Sequence, residues 1–175
     1  DLHNSGRRQR QMCIRDSSQY IKKMELTQLS KFIKKYWNDM GWESPSTEWD
    51  LKLTNLIQDS MVLLKDGIDQ AKPFFFMSQM QKEGEEFLRS KREAKESLKY
   101  ILFYLKEKKI SKVTNDNARE IINKITVDHS IKKGILMKSL RVAFFGCLSG
   151  PDLIQSWELF SENKIDIPLI ERCFI

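Results

Sequence analysis

Lys138 and Arg141 stand three residues apart in a stretch whose apolar positions repeat with a helical period, so both leave the same side of a helix. That helix runs into Gly146-Cys147-Leu148-Ser149-Gly150-Pro151-Asp152-Leu153, where two glycines and a proline dictate a tight turn with exposed backbone polar groups. An arginine offers a planar fork that fits a base edge or a phosphate. Unstacked loop bases are what proteins read when they recognise RNA sequence. Two readings stay open. Lys138 and Arg141 solvate a helix, or they join Gly150, Pro151 and Leu153 in a small polar site flanking an unpaired base.

Other residue types able to do chemistry are few. His129 follows Asp128 in a polar turn, where a surface role outweighs that of a general base. The Phe74-Phe75-Phe76 run could stack bases, but adjacent phenylalanines more often supply core and one partly exposed ring. No Gly-rich phosphate loop and no His-Glu-x-x-His pair occurs, and nothing places Ser, His and Asp as a triad. Three cysteines, Cys13, Cys147 and Cys173, are odd in number and form no Cys-x-x-Cys pair. With only His3 and His129 beside them, neither a metal site nor a disulfide framework is expected. The chemistry describes a binding module rather than a catalyst.

The elements that must carry these residues are helical. Only 7 glycines and 4 prolines occur in 175 residues, which disfavours a turn-rich β fold. Leu29, Phe32, Ile33, Tyr36 and Trp37 mark a helix over 26–40 that Gly41 stops. Thr47 and Asp50 form a capping signature for the next helix, which carries Trp49, Leu53, Leu56, Ile57 and Leu64 until Gly67 breaks it. Pro73 should interrupt the segment from Ile68 to Met77. Residues 85–109 make one or two amphipathic helices around Leu98, Ile101, Leu102 and Leu105. Thr114 to Asn117 caps a helix with Ala118, Ile121, Ile122 and Ile125 inward. Ile135, Leu136, Leu140 and Ala143 face the core from the helix that Gly146 ends. Pro151 is expected in the first turn of the following helix, and Pro168 starts a last short one through Cys173.

Composition sets the outer bounds. Hydrophobic residues at 41% and charged residues at 31% describe a folded protein, and the longest apolar stretches are too short to span a bilayer. No secretory h-region is visible, so a cytoplasmic location is expected. The net charge is +6, of which the first seventeen residues supply four arginines against two aspartates. That excess permits a polyanionic partner without requiring one. Residues 1–17 lack helical or strand periodicity, and Met12 to Ser17 resembles translated sequencing-adapter sequence. They are expected to be foreign to the fold, with the natural protein extending further upstream.

The segment Ser139-Leu140-Arg141-Val142-Ala143-Phe144-Phe145-Gly146-Cys147-Leu148-Ser149-Gly150-Pro151-Asp152-Leu153 is similar to the C-terminal motif of bacterial glutamyl-tRNA synthetases, including the cyanobacterial-like ones. That motif reads roughly Leu-Arg-x-Ala-x-x-Gly, a short turn, then Gly-Pro-x-Leu. Ser18-Gln19-Tyr20-Ile21 resembles the end of the family's Asn-x-x-Tyr-Ile approach to the same region, with the Asn falling at Ser17. The resemblance covers about residues 18–173. It implies an all-α fold: the two-subdomain helical cage of the class I aminoacyl-tRNA synthetase anticodon-binding type. The expected subdomains are residues 18–112 and 113–175.

The resemblance also implies roles. Arg141 falls where the family uses an Arg near the first anticodon base, Gly150, Pro151 and Leu153 fall on the turn that cradles it, and Lys138 matches a nearby polar contact. Strictly glutamate-specific members read the third anticodon base with an Arg, and that position aligns with Ser60. The departure resembles non-discriminating members, which charge both tRNA(Glu) and tRNA(Gln). The implied partners are therefore tRNA(Glu) and, through Ser60, tRNA(Gln), bound by a monomer with no membrane. The His-Ile-Gly-His-like and Lys-Met-Ser-Lys-Ser-like signatures of class I enzymes are absent. ATP and Mg2+ are thus expected to act in a catalytic domain outside this sequence, leaving the segment itself without a cofactor or activity. The rival expectations are a free-standing helical protein-interaction domain and a general basic RNA-binding bundle.

Overall fold

In the computed structural model, residues 19–175 are described, and no strand occurs among them. The segment over residues 1–17, with Cys13 and His3, lies outside the described residues. A helical segment over 19–23 leads into α1 (Leu26–Asp39), α2 (Thr47–Gln58) and α3 (Asp66–Phe75). Then come α4 (Lys82–Ser90), α5 (Arg92–Glu107), α6 (Asn115–Asp128), α7 (Lys133–Phe145), α8 (Leu153–Glu162) and α9 (Asp166–Glu171), with a 3-10 turn over Arg172–Phe174. None of these helices is long and apolar enough to cross a membrane. The all-α class is as the composition and periodicity indicate.

The chain forms two compact units that divide between Lys72 and Pro73. The expected division at 112 therefore moves. Its physical reason is the packing of α5 on both α6 and α7, which puts the residues on either side of 112 into one core.

In the first unit α1 packs on α2. Leu29, Ile33 and Trp37 are wholly buried, one per helical turn, while Phe32 and Tyr36 lie on the flank of that stripe and stay exposed. The rings of Trp37 and Trp49 meet edge to face at 6.5 Å, and the Trp37 indole N–H donates to the Gly67 carbonyl at 3.1 Å. The capping signature at Thr47 shifts by one residue. Ser46 is the N-cap and accepts from the Trp49 N–H at 3.1 Å. Asp50 is instead buried and paired with Lys34 across the helix contact, with its Oδ1 left unpartnered. Lys34→Ala would strand that carboxylate. A cost of about 2 kcal/mol is expected in urea denaturation, below the usual range for breaking a buried pair because the lysine is partly exposed. An unchanged midpoint would show that the pair contributes nothing.

α2 also ends earlier than its apolar pattern indicates. The chain turns after Gln58, and the Asp66 carboxylate accepts from the Val62 and Leu63 N–H groups at 2.9 and 2.8 Å. Leu64 thus falls in the turn, and Gly67 lies inside α3 rather than breaking a helix. Pro73 does not interrupt α3 either. It sits in the last turn, where its missing N–H removes a single backbone bond.

The second unit is built around α7, which packs against α4, α5, α6, α8 and α9. Leu136, Leu140, Ala143 and Phe144 are fully buried on it. Its centre is a ring cluster. Phe160 stacks on Phe74 at 4.7 Å and 12°, and meets Phe144 and Phe145 at 5.0 and 5.4 Å. The phenylalanine run resolves as the spacing suggests: Phe74 is core, Phe75 is half-buried, and Phe76 is exposed. His129 is an exposed C-cap residue stacked on Tyr100 at 3.5 Å.

Candidate nucleic-acid interface

The turn after α7 is held in place at both ends. At its start, Gly146 adopts φ +75°, and its N–H donates to the Val142 carbonyl at 2.9 Å, closing the helix with a left-handed cap. A Cβ on Gly146 would lie 2.2 Å from the Gln79 carbonyl oxygen, so the segment between α3 and α4 lies flat against this residue. The Gln81 N–H donates to the Gly146 carbonyl at 2.9 Å. Gly84 fits the same contact, since a Cβ there would come 2.5 Å from the Gly146 oxygen.

At the far end, the Arg141 guanidinium reaches across the turn. Its Nη1 donates to the carbonyls of Gly150 at 3.0 Å and Pro151 at 2.9 Å. Gly150 has φ +152° and rests on the Phe145 ring, 3.0 Å from where a Cβ would stand. Asp152 then caps α8, accepting from the Gln155 N–H at 2.9 Å. Pro151 consequently precedes the cap instead of occupying the first turn of α8, because Asp152 supplies the acceptor that the helix start needs. Similarly, α9 starts at Asp166, so Pro168 lies within its first turn, and a 3-10 turn replaces helix through Cys173.

Arg141, Gly150 and Pro151 are thus brought together by direct bonds. Lys138 lies one turn earlier on α7 and is exposed. Leu153 is only 1% exposed, buried at the start of α8, so its side chain is not a wall open to a base. Ser60 belongs to the first unit. Its hydroxyl is 2.8 Å from the Ile57 carbonyl and 2.5 Å from Gln70 Oε1, while Gln70 Nε2 donates to the Ser60 carbonyl at 3.2 Å.

Three contributors to the turn escape local sequence patterns. Phe145 floors Gly150, Gln81 satisfies Gly146, and Arg172 donates to the Ala143 carbonyl. A lone arginine beside Cys173 at the end of an apolar run was the available signal for the last. Cys147 holds the turn internally, its Sγ 3.3 Å from the Ser149 carbonyl. Burial pushes the Cys173 thiol up to about 11, keeping it protonated and unreactive.

These features define an all-helical recognition domain, in which rigid helices present an arginine and a braced stretch of backbone. A family model described as "Anticodon binding domain" matches residues 22–165, and the chain belongs to this family. The glutamate–tRNA ligase of Prochlorococcus marinus subsp. pastoris is 87% identical over 158 residues, covering 90% of this chain and 33% of that protein. The glutamate–tRNA ligase of Prochlorococcus marinus strain MIT 9312 is 64% identical over 157 residues, with the same coverage of each chain. The chain therefore spans about a third of the length of these curated relatives. A solved glutamate tRNA ligase from Elizabethkingia meningosepticum superposes with a TM-score of 0.78 at 20% identity, covering 90% of this chain and 30% of that one, and shares the fold.

Proposed function

We propose that this chain is the anticodon-loop-gripping part of a glutamate–tRNA ligase, working in translation in the cytoplasm as a monomer. What supports the reading is the bracing of the Gly150–Pro151 turn by Arg141, in a chain of the anticodon binding domain family. Nη1 is committed to the turn, so the remaining N–H groups of the guanidinium are those available to a base edge. Rigid presentation matters because a donor held in place loses little entropy when the base arrives. ATP and Mg2+ serve the aminoacylation carried by the rest of such a ligase.

The test is a gel shift with tRNA(Glu) against a variant with a swapped anticodon. Preference for tRNA(Glu) is expected, with affinity falling steeply as salt rises because phosphate contacts release counterions. Equal affinity for the two RNAs would reduce the domain to a general RNA binder. Arg141→Ala is expected to weaken binding of tRNA(Glu) by about 1–3 kcal/mol, and no measurable loss would remove it from the site.

Ser60 supports a second specificity, for tRNA(Gln). It has no guanidinium, and its hydroxyl is engaged within its own turn by Ile57 and Gln70. Charging of tRNA(Gln) by the full-length enzyme is the expected result, and its absence would sink this part of the proposal. A protein-interaction role finds support in Phe103 on α5, which is 67% exposed. Binding centred on such an apolar anchor would respond little to salt, which separates it from RNA binding.

A further inference from the structure

We propose that Arg172 is the positioning residue of the RNA-binding turn, acting from the protein side of α7 while Arg141 acts from the turn side. This rests on the reading of the turn as an RNA site. The Arg172 Nε and Nη2 both donate to the Ala143 carbonyl, at 3.2 and 2.8 Å, and Nη1 donates to the Ser78 carbonyl. Ala143 is in the last turn of α7, where carbonyls lack an intrahelical partner and the helix dipole is negative. Arg172 makes no ion pair among the described residues, so these carbonyls are what face its charge.

The second anchor explains why one side chain controls the turn. By holding Ser78, Arg172 fixes the segment that lies on Gly146, one residue before the Gln79 carbonyl that fills the space of a Cβ. Gln81, three residues further on, bonds the Gly146 carbonyl. The last turn of α7 and this segment are thus clamped together where the turn departs. Arg172 is itself seated by its neighbours: Glu171 pairs with Lys106 of α5 at 2.7 Å, and Cys173 is buried. A lysine cannot reproduce the arrangement, because its single ammonium on a flexible stem does not fork between two carbonyls.

The experiment uses the whole chain with two probes: an RNA stem-loop bearing the tRNA(Glu) anticodon and the same stem-loop with a permuted anticodon. Arg172→Ala is expected to cut the preference between them about tenfold, the weight of one good base contact. Helix content and the weaker binding of the permuted loop should stay as in the parent. Arg172→Lys should recover only part of the preference, and amide exchange at Gln81 and Gly146, whose N–H groups donate to the Gly146 and Val142 carbonyls, should accelerate in both variants. Full preference retained by a folded Arg172→Ala protein would overturn the proposal. If the alanine variant does not fold, Arg172→Lys decides: parental preference with parental exchange at Gln81 and Gly146 overturns the proposal equally. A parent chain that binds both loops alike would instead refute the anticodon reading, and the inference would fall with it.

Discussion

Gly146→Ala is expected to lower the stability of the second unit by about 3 kcal/mol or more, a large effect for one added methyl group. Two costs combine. An alanine at φ +75° pays about 1–2 kcal/mol for the left-handed conformation. The new Cβ would also sit 2.2 Å from the Gln79 oxygen and 3.0 Å from its carbonyl carbon. Those are backbone atoms held nearby by Arg172 and Gln81, so they cannot swing aside as a flexible side chain would. Urea denaturation measures the loss. Gly134→Ala is the control, because nothing lies within 4 Å of a Cβ there and its φ is not in the left-handed range. It should be neutral or stabilising by up to about 1 kcal/mol. Equal midpoints for the two variants would mean that the end of α7 is not clamped.

Phe160→Ala should be more damaging still, at about 3–5 kcal/mol in the same assay. Phe160 is wholly buried and touches three other rings, Phe74, Phe144 and Phe145. Its removal opens a cavity between α3 and α8 residues that aromatic neighbours cannot fill without leaving their rotamers. The effect should reach the site, because Phe145 is the ring on which Gly150 rests. RNA binding is therefore expected to weaken even at temperatures where the variant remains folded. Phe160→Leu keeps most of the volume and should cost roughly 1–2 kcal/mol. If the alanine variant lost less than the leucine one, the ring cluster would not be the centre of this core.

The legible parts of this molecule were those written in neighbouring residues. Leu29, Ile33 and Trp37, or Ala118, Ile121, Ile122 and Ile125, mark their buried faces by spacing alone. Gly146 and the Gly150-Pro151 pair mark the turn, and Arg141 lies close enough in sequence to belong with it. Errors appeared where a distant partner outbid a local signal. Asp50 would complete a capping box at Thr47, but Lys34 of α1 draws it inward, and Ser46 takes the cap. Pro73 would end a helix, yet Phe74 beyond it is anchored on Phe160. A subdomain boundary at 112 suited the polar loop there, whereas the α5–α7 packing that overrules it joins residues no window contains. Arg172 and Ser78 are 94 residues apart, so their bond could not be read from either place.

That separation has a temporal meaning. A ribosome makes Ser78 first, the α7 turn much later, and Arg172 after both. The turn can acquire its residues, and α7 its helical hydrogen bonds, while the clamp that fixes them is still unsynthesised. Closing a contact across so much chain is also slow compared with forming a helix. The braced turn can therefore mature only once Arg172 has been made, and a nascent chain halted before Arg172 would carry the motif without the geometry.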